Sequence, residues 1–228
     1  MRPIIEGMQR LSGYIDHTLL RPEATFGQIE RLCAEARAHH FFAVCVHGSW
    51  VRHACRLLEE TAVRVVSVAG FPLGAMSQAA KCFETESAIA DGAAEIDCVL
   101  HIGRLKQGDD SYVVEELGAV VRSAAGRPVK VILETCLLSE EEKIRACRLA
   151  AESGARFVKT STGFGAGGAT LADVALMRKT VGPDFGIKAS GGIRDAATAL
   201  AMIRAGATRL GTSAGVAIVD TLGLLPDV

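Results

Sequence analysis

Two lysines of this chain sit where lysines are costly. FVKTSTGFG (157–165) and FGIKASGGI (185–193) each read as an apolar run, a lysine, then small hydroxyl and glycine residues. A charged amine inside an apolar run gives up hydration, so its presence needs a reason. If the two runs are neighbouring strands, Lys159 and Lys188 lie within about 5 Å, the spacing of strands. Two ammonium groups that close disfavour each other's charge, and a partly neutral lysine is a nucleophile towards carbonyl groups. The pattern points to Schiff-base chemistry. The chain has only 7 lysines against 18 arginines, which makes lysines in strands stand out further.

Asp97, in EIDCVL, is embedded among apolar neighbours in the same way. Lone buried charges of opposite sign imply groups facing one interior, and a purely structural ion pair is the competing reading. Three charges with a positive sum, with Asp16 in YIDHT beside them, fit catalysis better than a neutral pair. Further polar residues punctuate the ends of apolar runs: Thr18, Cys45, His47, His101, Glu134-Thr135, Thr160-Ser161, Ser190 and Thr212-Ser213. Two of these places are rich in glycine, Ser190-Gly191-Gly192-Ile193 and Leu210-Gly211-Thr212-Ser213, and the STGFG loop adds Gly163. Backbone N–H groups freed by glycine, next to the N-terminus of a following helix, hold an anion such as a phosphate. His47 and His101, with Asp97 or Glu134, would be the material for a metal site. No HxH or HExxH spacing is present, so both read as polar liners or caps, and neither a metal nor a cofactor is expected.

These residues need elements to place them. Short apolar runs at 13–16, 42–46, 64–69, 95–100, 129–133, 156–160, 186–189 and 209–212 predict strands. Amphipathic, alanine-rich segments between them predict helices near 25–38, 49–60, 77–91, 109–125, 139–153, 170–181, 195–204 and 214–220. Thr25, Ser77, Ser139, Thr170 and Asp195 stand at helix starts as caps. Eight βα units without a linker or a change of composition predict one domain over 1–228, a (β/α)8 TIM barrel of the α/β class. An open doubly wound sheet is weakened because no glycine-rich turn follows the first strand. In a barrel, the polar punctuation falls at the C-terminal strand ends, where active sites lie, and the glycines follow strands 7 and 8.

Composition narrows the remaining options. A formal net charge of −1 gives no electrostatic case for nucleic acid or an anionic membrane surface. The seven scattered cysteines lack CxxC spacing and suit a reducing, cytoplasmic setting. Neither a signal-type apolar core nor a run of transmembrane length is present.

Along nearly its whole length the chain resembles the deoxyribose-phosphate aldolases, a class I aldolase family. The likeness runs through YIDHTLL (14–20), AVCVHGSWV (43–51), VAGFPLGA (68–75), EIDCVLHIG (95–103), KVILETCLL (130–138), FVKTSTGFG (157–165), IKASGGIRD (187–195) and RLGTSAG (209–215). The resemblance implies a TIM-barrel lyase of deoxyribonucleotide catabolism. It would cleave 2-deoxy-D-ribose 5-phosphate reversibly into acetaldehyde and D-glyceraldehyde 3-phosphate. Lys159 then matches the Schiff-base lysine, Lys188 the lysine that lowers its pKa, and Asp97 the proton relay, with Asp16 in support. Phosphate would rest on Gly163, Gly191, Gly192 and Ser213, with Thr18 near the substrate hydroxyls; Thr160, Ser190 and Thr212 complete the expected binding set. Relatives include dimers and tetramers, so a homo-oligomer is a possible state. The chain departs from the family at His47-Gly48, where Asn-Pro is usual, at His101, often asparagine, and in the tail TLGLLPDV, which lacks a tyrosine found in some members.

Overall fold

The computed structural model describes residues 11–222. Eight parallel strands close into a barrel in sequential order. They are β1 (Ile15–Leu19), β2 (Ala43–Val46), β3 (Arg64–Ala69), β4 (Glu95–Val99), β5 (Val129–Ile132), β6 (Phe157–Lys159), β7 (Gly186–Ser190) and β8 (Arg209–Thr212). The helices around them are α1 (Phe26–Ala38), α2 (Val51–Leu57), α3 (Gln78–Ala90), α4 (Ile102–Gln107), α5 (Asp110–Ser123), α6 (Glu140–Glu152), α7 (Leu171–Val181), α8 (Ala196–Arg204) and α9 (Gly215–Leu222). The expected domain limits of 1 and 228, and most of the TLGLLPDV tail, lie outside the described residues.

Local chemistry starts the helices where the sequence suggests. Ser139 and Glu142 form a reciprocal capping box, and Ser77, Thr170 and Asp195 each accept a hydrogen bond from the first turn of the helix that follows. At Thr25 the backbone N–H donates to Gln28 Oε1. Three expectations needed correction. The first strand runs to Leu19 rather than ending at Asp16, because Asp16 faces the charged interior and His17, on the helix side, is paired with Glu35 of α1. The segment expected as a helix over 49–60 is a 3-10 turn (Gly48–Trp50) followed by the shorter α2. Between β4 and α5 lies the unpredicted α4, started by His101 Nδ1, which accepts from Arg104 N–H, and closed by Gly108 in the left-handed region.

Strand alternation separates two interiors. One face of the strands, including Ile15, Val44, Ile96, Val131, Val158, Ile187 and Leu210, joins the continuous apolar core under the helices. The other face points into the barrel. There only Leu20, Ala43, Cys45, Val66 and Val68 form an apolar cluster, with Phe42 and Phe71 packed against it. Besides Val99 and Ile132, which share the face of Lys159, the rest of the interior carries charged side chains where this architecture usually has branched apolar layers.

Candidate active site

Register does the first work of positioning. Lys159 on β6 is the direct partner of Lys188 on β7, and Asp97 on β4 is the partner of Lys130 on β5. Parallel partners share a face, so all four side chains enter the barrel. The two lysines do not confront one another bare. Lys159 Nζ and Lys188 Nζ each donate to the same oxygen, Asp97 Oδ2, at 2.8 Å. The other oxygen, Oδ1, accepts from Lys130 Nζ at 2.8 Å.

From there the contacts close into a ring. Lys130 also pairs with Glu95 Oε2 at 2.6 Å, and Arg209 reaches Glu95 Oε2 at 3.2 Å and Asp16 Oδ1 at 3.0 Å. Asp16 Oδ2 returns to Lys188. Every member of the ring is buried, four cations (Lys130, Lys159, Lys188, Arg209) against three anions (Asp16, Glu95, Asp97), and the exposed Arg64 adds a fifth cation 3.5 Å from Glu95 Oε1. The lower end is covered by aromatic rings. The Arg209 guanidinium lies 3.4 Å from the Phe42 ring centroid and 5.5 Å from that of Phe157. Two glycines make this crowding possible: a Cβ on Gly186 would fall 2.2 Å from the Phe157 ring, and one on Gly211 would fall 2.9 Å from Lys188 Cε.

The ring sets the charge states. Burial alone would raise the Asp97 carboxyl, but Lys130, Lys159 and Lys188 hold it well below the usual carboxylate range. Burial likewise opposes ionisation of Asp16, and Lys188 and Arg209 bring it below its ordinary value. Burial would depress the Lys188 ammonium; Asp16 and Asp97 more than offset this and hold it above an ordinary lysine. Arg209 is raised against burial by Asp16 and Glu95.

An open cleft of about 970 Å³ stands over the C-terminal ends of β6, β7, β8 and β1. Of the seven charged groups, Lys159 alone lines it. Thr18, Gly163, Ser190, Gly191, Gly192, Thr212 and Ser213 line it too. Gly163, Gly191 and Gly192 all have positive φ, near +85°, turning backbone N–H groups in ways other residues rarely adopt. The Ser213 end leads into α9.

The hydroxyls fare unequally. Thr160 is a correction: it is fully buried, its Oγ1 donates to Ser190 O and accepts from Ser190 N–H, and it does not line the cleft. That hydroxyl locks β6 to β7, and its one proton is already committed to Ser190 O. Thr212 Oγ1 is also engaged, donating to Ile193 O and accepting from Ala214 N–H, so it shapes the loop after β8. Thr18 Oγ1 donates to Asp16 O, and Ser190 Oγ donates to Ser161 O. His47 Nε2 hydrogen-bonds the Leu20 carbonyl, and His101 is the α4 cap already described.

Lys130, Glu95 and Arg209 were not singled out in the sequence, and neither were Arg21, Arg31 and Arg194, cations on the cleft wall. Lys130 did carry a usable signal, since PVKVIL shows the same lone lysine in an apolar run as FVKTS. Glu95 and Arg209 open their strands, where a charge normally reaches solvent.

Comparison with known proteins shows the family. The family model described as "DeoC/LacD family aldolase" matches residues 11–220. The chain is 57% identical over 209 residues to the deoxyribose-phosphate aldolase of Brevibacillus brevis, covering 92% of this chain and 95% of that one. It is 58% identical over 211 residues to that of Alkaliphilus oremlandii, with 92% and 95% covered. A solved deoxyribose phosphate aldolase from Aeropyrum pernix, described as a unique tetramer, superposes with a TM-score of 0.89 at 31% identity, covering 98% of this chain and 99% of that one.

Proposed function

The chain belongs to the DeoC/LacD aldolase family, and from that premise we propose that it cleaves 2-deoxy-D-ribose 5-phosphate reversibly through a Schiff base on Lys159. One observation carries the reading: of four buried cations sharing one charge network, only Lys159 opens onto the cleft. Lys159 is therefore the amine that a carbonyl carbon in the cleft can reach, and it stays in contact with Asp97 Oδ2 while it does so.

The amine attacks C1 of the open-chain sugar, and the carbinolamine loses water to give the protonated imine. Loss of the C3 hydroxyl proton lets the C2–C3 bond break, its electron pair moving into the imine. Glyceraldehyde 3-phosphate leaves and an enamine remains. Protonation at C2 and hydrolysis then release acetaldehyde and free Lys159. Asp97 touches both lysines through one oxygen, which suits it to pass protons through a bound water at the carbinolamine and enamine steps. Lys188, held charged by Asp16 and Asp97, keeps the relay carboxylate ionised. The N–H groups of Gly163, Gly191 and Gly192, with Ser213 before α9, hold the phosphate remote from the breaking bond, and Thr18 and Ser190 flank the sugar hydroxyls. Arg194 adds positive charge to the cleft wall, where Arg31 is paired with Glu35.

The same reading places the enzyme in deoxyribonucleotide catabolism in the cytoplasm as a homo-oligomer of one domain, without metal, nucleic-acid or membrane partners. No helix among the described residues is long and apolar enough to cross a membrane. The test is borohydride reduction in the presence of acetaldehyde, followed by peptide mapping. An ethyl adduct on Lys159 is expected, together with acetaldehyde release from deoxyribose 5-phosphate. An adduct on another lysine, or none, would sink the assignment.

A further inference from the structure

The loop after β6 does more than present Gly163. The next residue, Phe164, leaves that loop and reaches the opposite wall of the mouth. Its ring meets Phe71, in the loop after β3, edge-on at 5.4 Å between centroids. Phe71 in turn packs on the His47 ring at 5.7 Å, in the loop after β2. β3 and β6 are three strands apart around the barrel, so the rings form a strap across the opening. Beneath Phe71 lies the apolar cluster of Leu20, Cys45 and Val68. Phe164 is half exposed, so the contact is made at a surface and not by burial in a core.

The near end of the strap is anchored separately. Glu134, buried and with φ +54°, accepts hydrogen bonds from Thr162 N–H and Thr162 Oγ1. Thr162 Oγ1 accepts in turn from Phe164 N–H at 3.0 Å. Gly163, between these two residues, has open space where a Cβ would be, so its glycine answers to its φ of +88° alone. A single short loop therefore holds the backbone N–H offered to the phosphate and the ring that spans the mouth.

We propose that Phe164 is a positioning residue that couples phosphate binding at Gly163 to closure of the mouth over Lys159, so that the phosphate raises turnover as well as affinity. This rests on the reading of the cleft as a phosphosugar site. A phosphate on Gly163 stops the loop from swinging; the ring then stays on Phe71 and keeps water from the imine and enamine. A sugar without phosphate leaves the loop to the Glu134–Thr162 anchor and the ring contact alone, and the strap is closed for a smaller share of each turnover.

The experiment measures kcat and KM for 2-deoxyribose 5-phosphate and for 2-deoxyribose in the natural enzyme, F164A and F164Y. F164A should lose about tenfold or more in kcat with the phosphosugar and less than about twofold with the unphosphorylated sugar, while F164Y, which keeps the ring, retains most of the difference. A purely structural role would lower both substrates by one factor; that result, or no change with either, overturns the proposal. Borohydride trapping of acetaldehyde needs no phosphate and should proceed in F164A as in the natural enzyme. Loss of the adduct in F164A alone would show Phe164 acting on the lysine directly and would also overturn it, whereas loss in both enzymes would strike the aldolase reading instead.

Discussion

Lys188 earns its place by what it does to the carboxylates, a role that mutual repulsion between two lysines does not capture. Asp97 Oδ2 lies between the two amines and accepts from both. Removing Lys188 takes away one of the three cations that hold Asp97 ionised, and the cation that shares Asp97 Oδ2 with Lys159. The rising limb of the pH–rate profile of K188L should therefore move to higher pH, alongside a lower maximum. An unmoved limb would remove the electrostatic role. The two lysines and Asp97 were legible in the sequence because each is a lone charge in an apolar run. Lys130 had the same signal, but Glu95 and Arg209 did not: only closure of the barrel turns strand-entry charges inward. Thr160 misled for the opposite reason, since its position beside Lys159 says nothing about which face its hydroxyl takes.

Among the elements, α3 and α5 are joined by a second buried charge pair with no part in the cleft. Lys81 Nζ donates to Glu116 Oε2 at 2.7 Å and to the Val99 carbonyl at 2.9 Å, and both side chains are fully buried. A neutral, satisfied pair of this kind fixes how the helices seat on β4 more than it adds stability. K81M alone should cost about 3–5 kcal/mol because it strands Glu116, while K81M/E116L should return to within about 1 kcal/mol of the natural protein. Urea unfolding of the two variants checks this; equal losses in both would mean the pair itself stabilises. Neither helix betrays the pair in sequence, because Lys81 and Glu116 look like ordinary solvated helix charges among many. The helix starts were legible, since capping is a local interaction between residues three apart. The end of β1 was not, because Asp16 and His17 each find a buried partner that the local sequence does not show, Lys188 inside the barrel for one and Glu35 of α1 for the other.

For the whole molecule, the barrel has divided its work between two interiors. The apolar shell between strands and helices supplies the hydrophobic driving force, and the space inside the sheet holds charge that contributes little net stability but ties folding to pH. Asp16 and Asp97 are held below their ordinary 3.8, so they favour the folded state at any pH above that value. As pH falls through 3.8 towards the folded values, the unfolded chain takes up protons that the folded chain refuses, and the contribution is lost. Lys188 is held above its ordinary 10.5, so its contribution is complete at all lower pH and fades only in strong alkali. Burial holds His17 below its ordinary 6.5, so stability should already decline gently as pH falls below that value. It should then drop faster below about pH 4, where Asp16 and Asp97 together contribute a slope approaching about 2.7 kcal/mol per pH unit. Urea midpoints measured at pH 7, 5, 4 and 3 follow this directly. Unchanged midpoints down to pH 3 would mean that Asp16 and Asp97 titrate alike in the folded and unfolded chains, which the closed ring of buried partners does not allow.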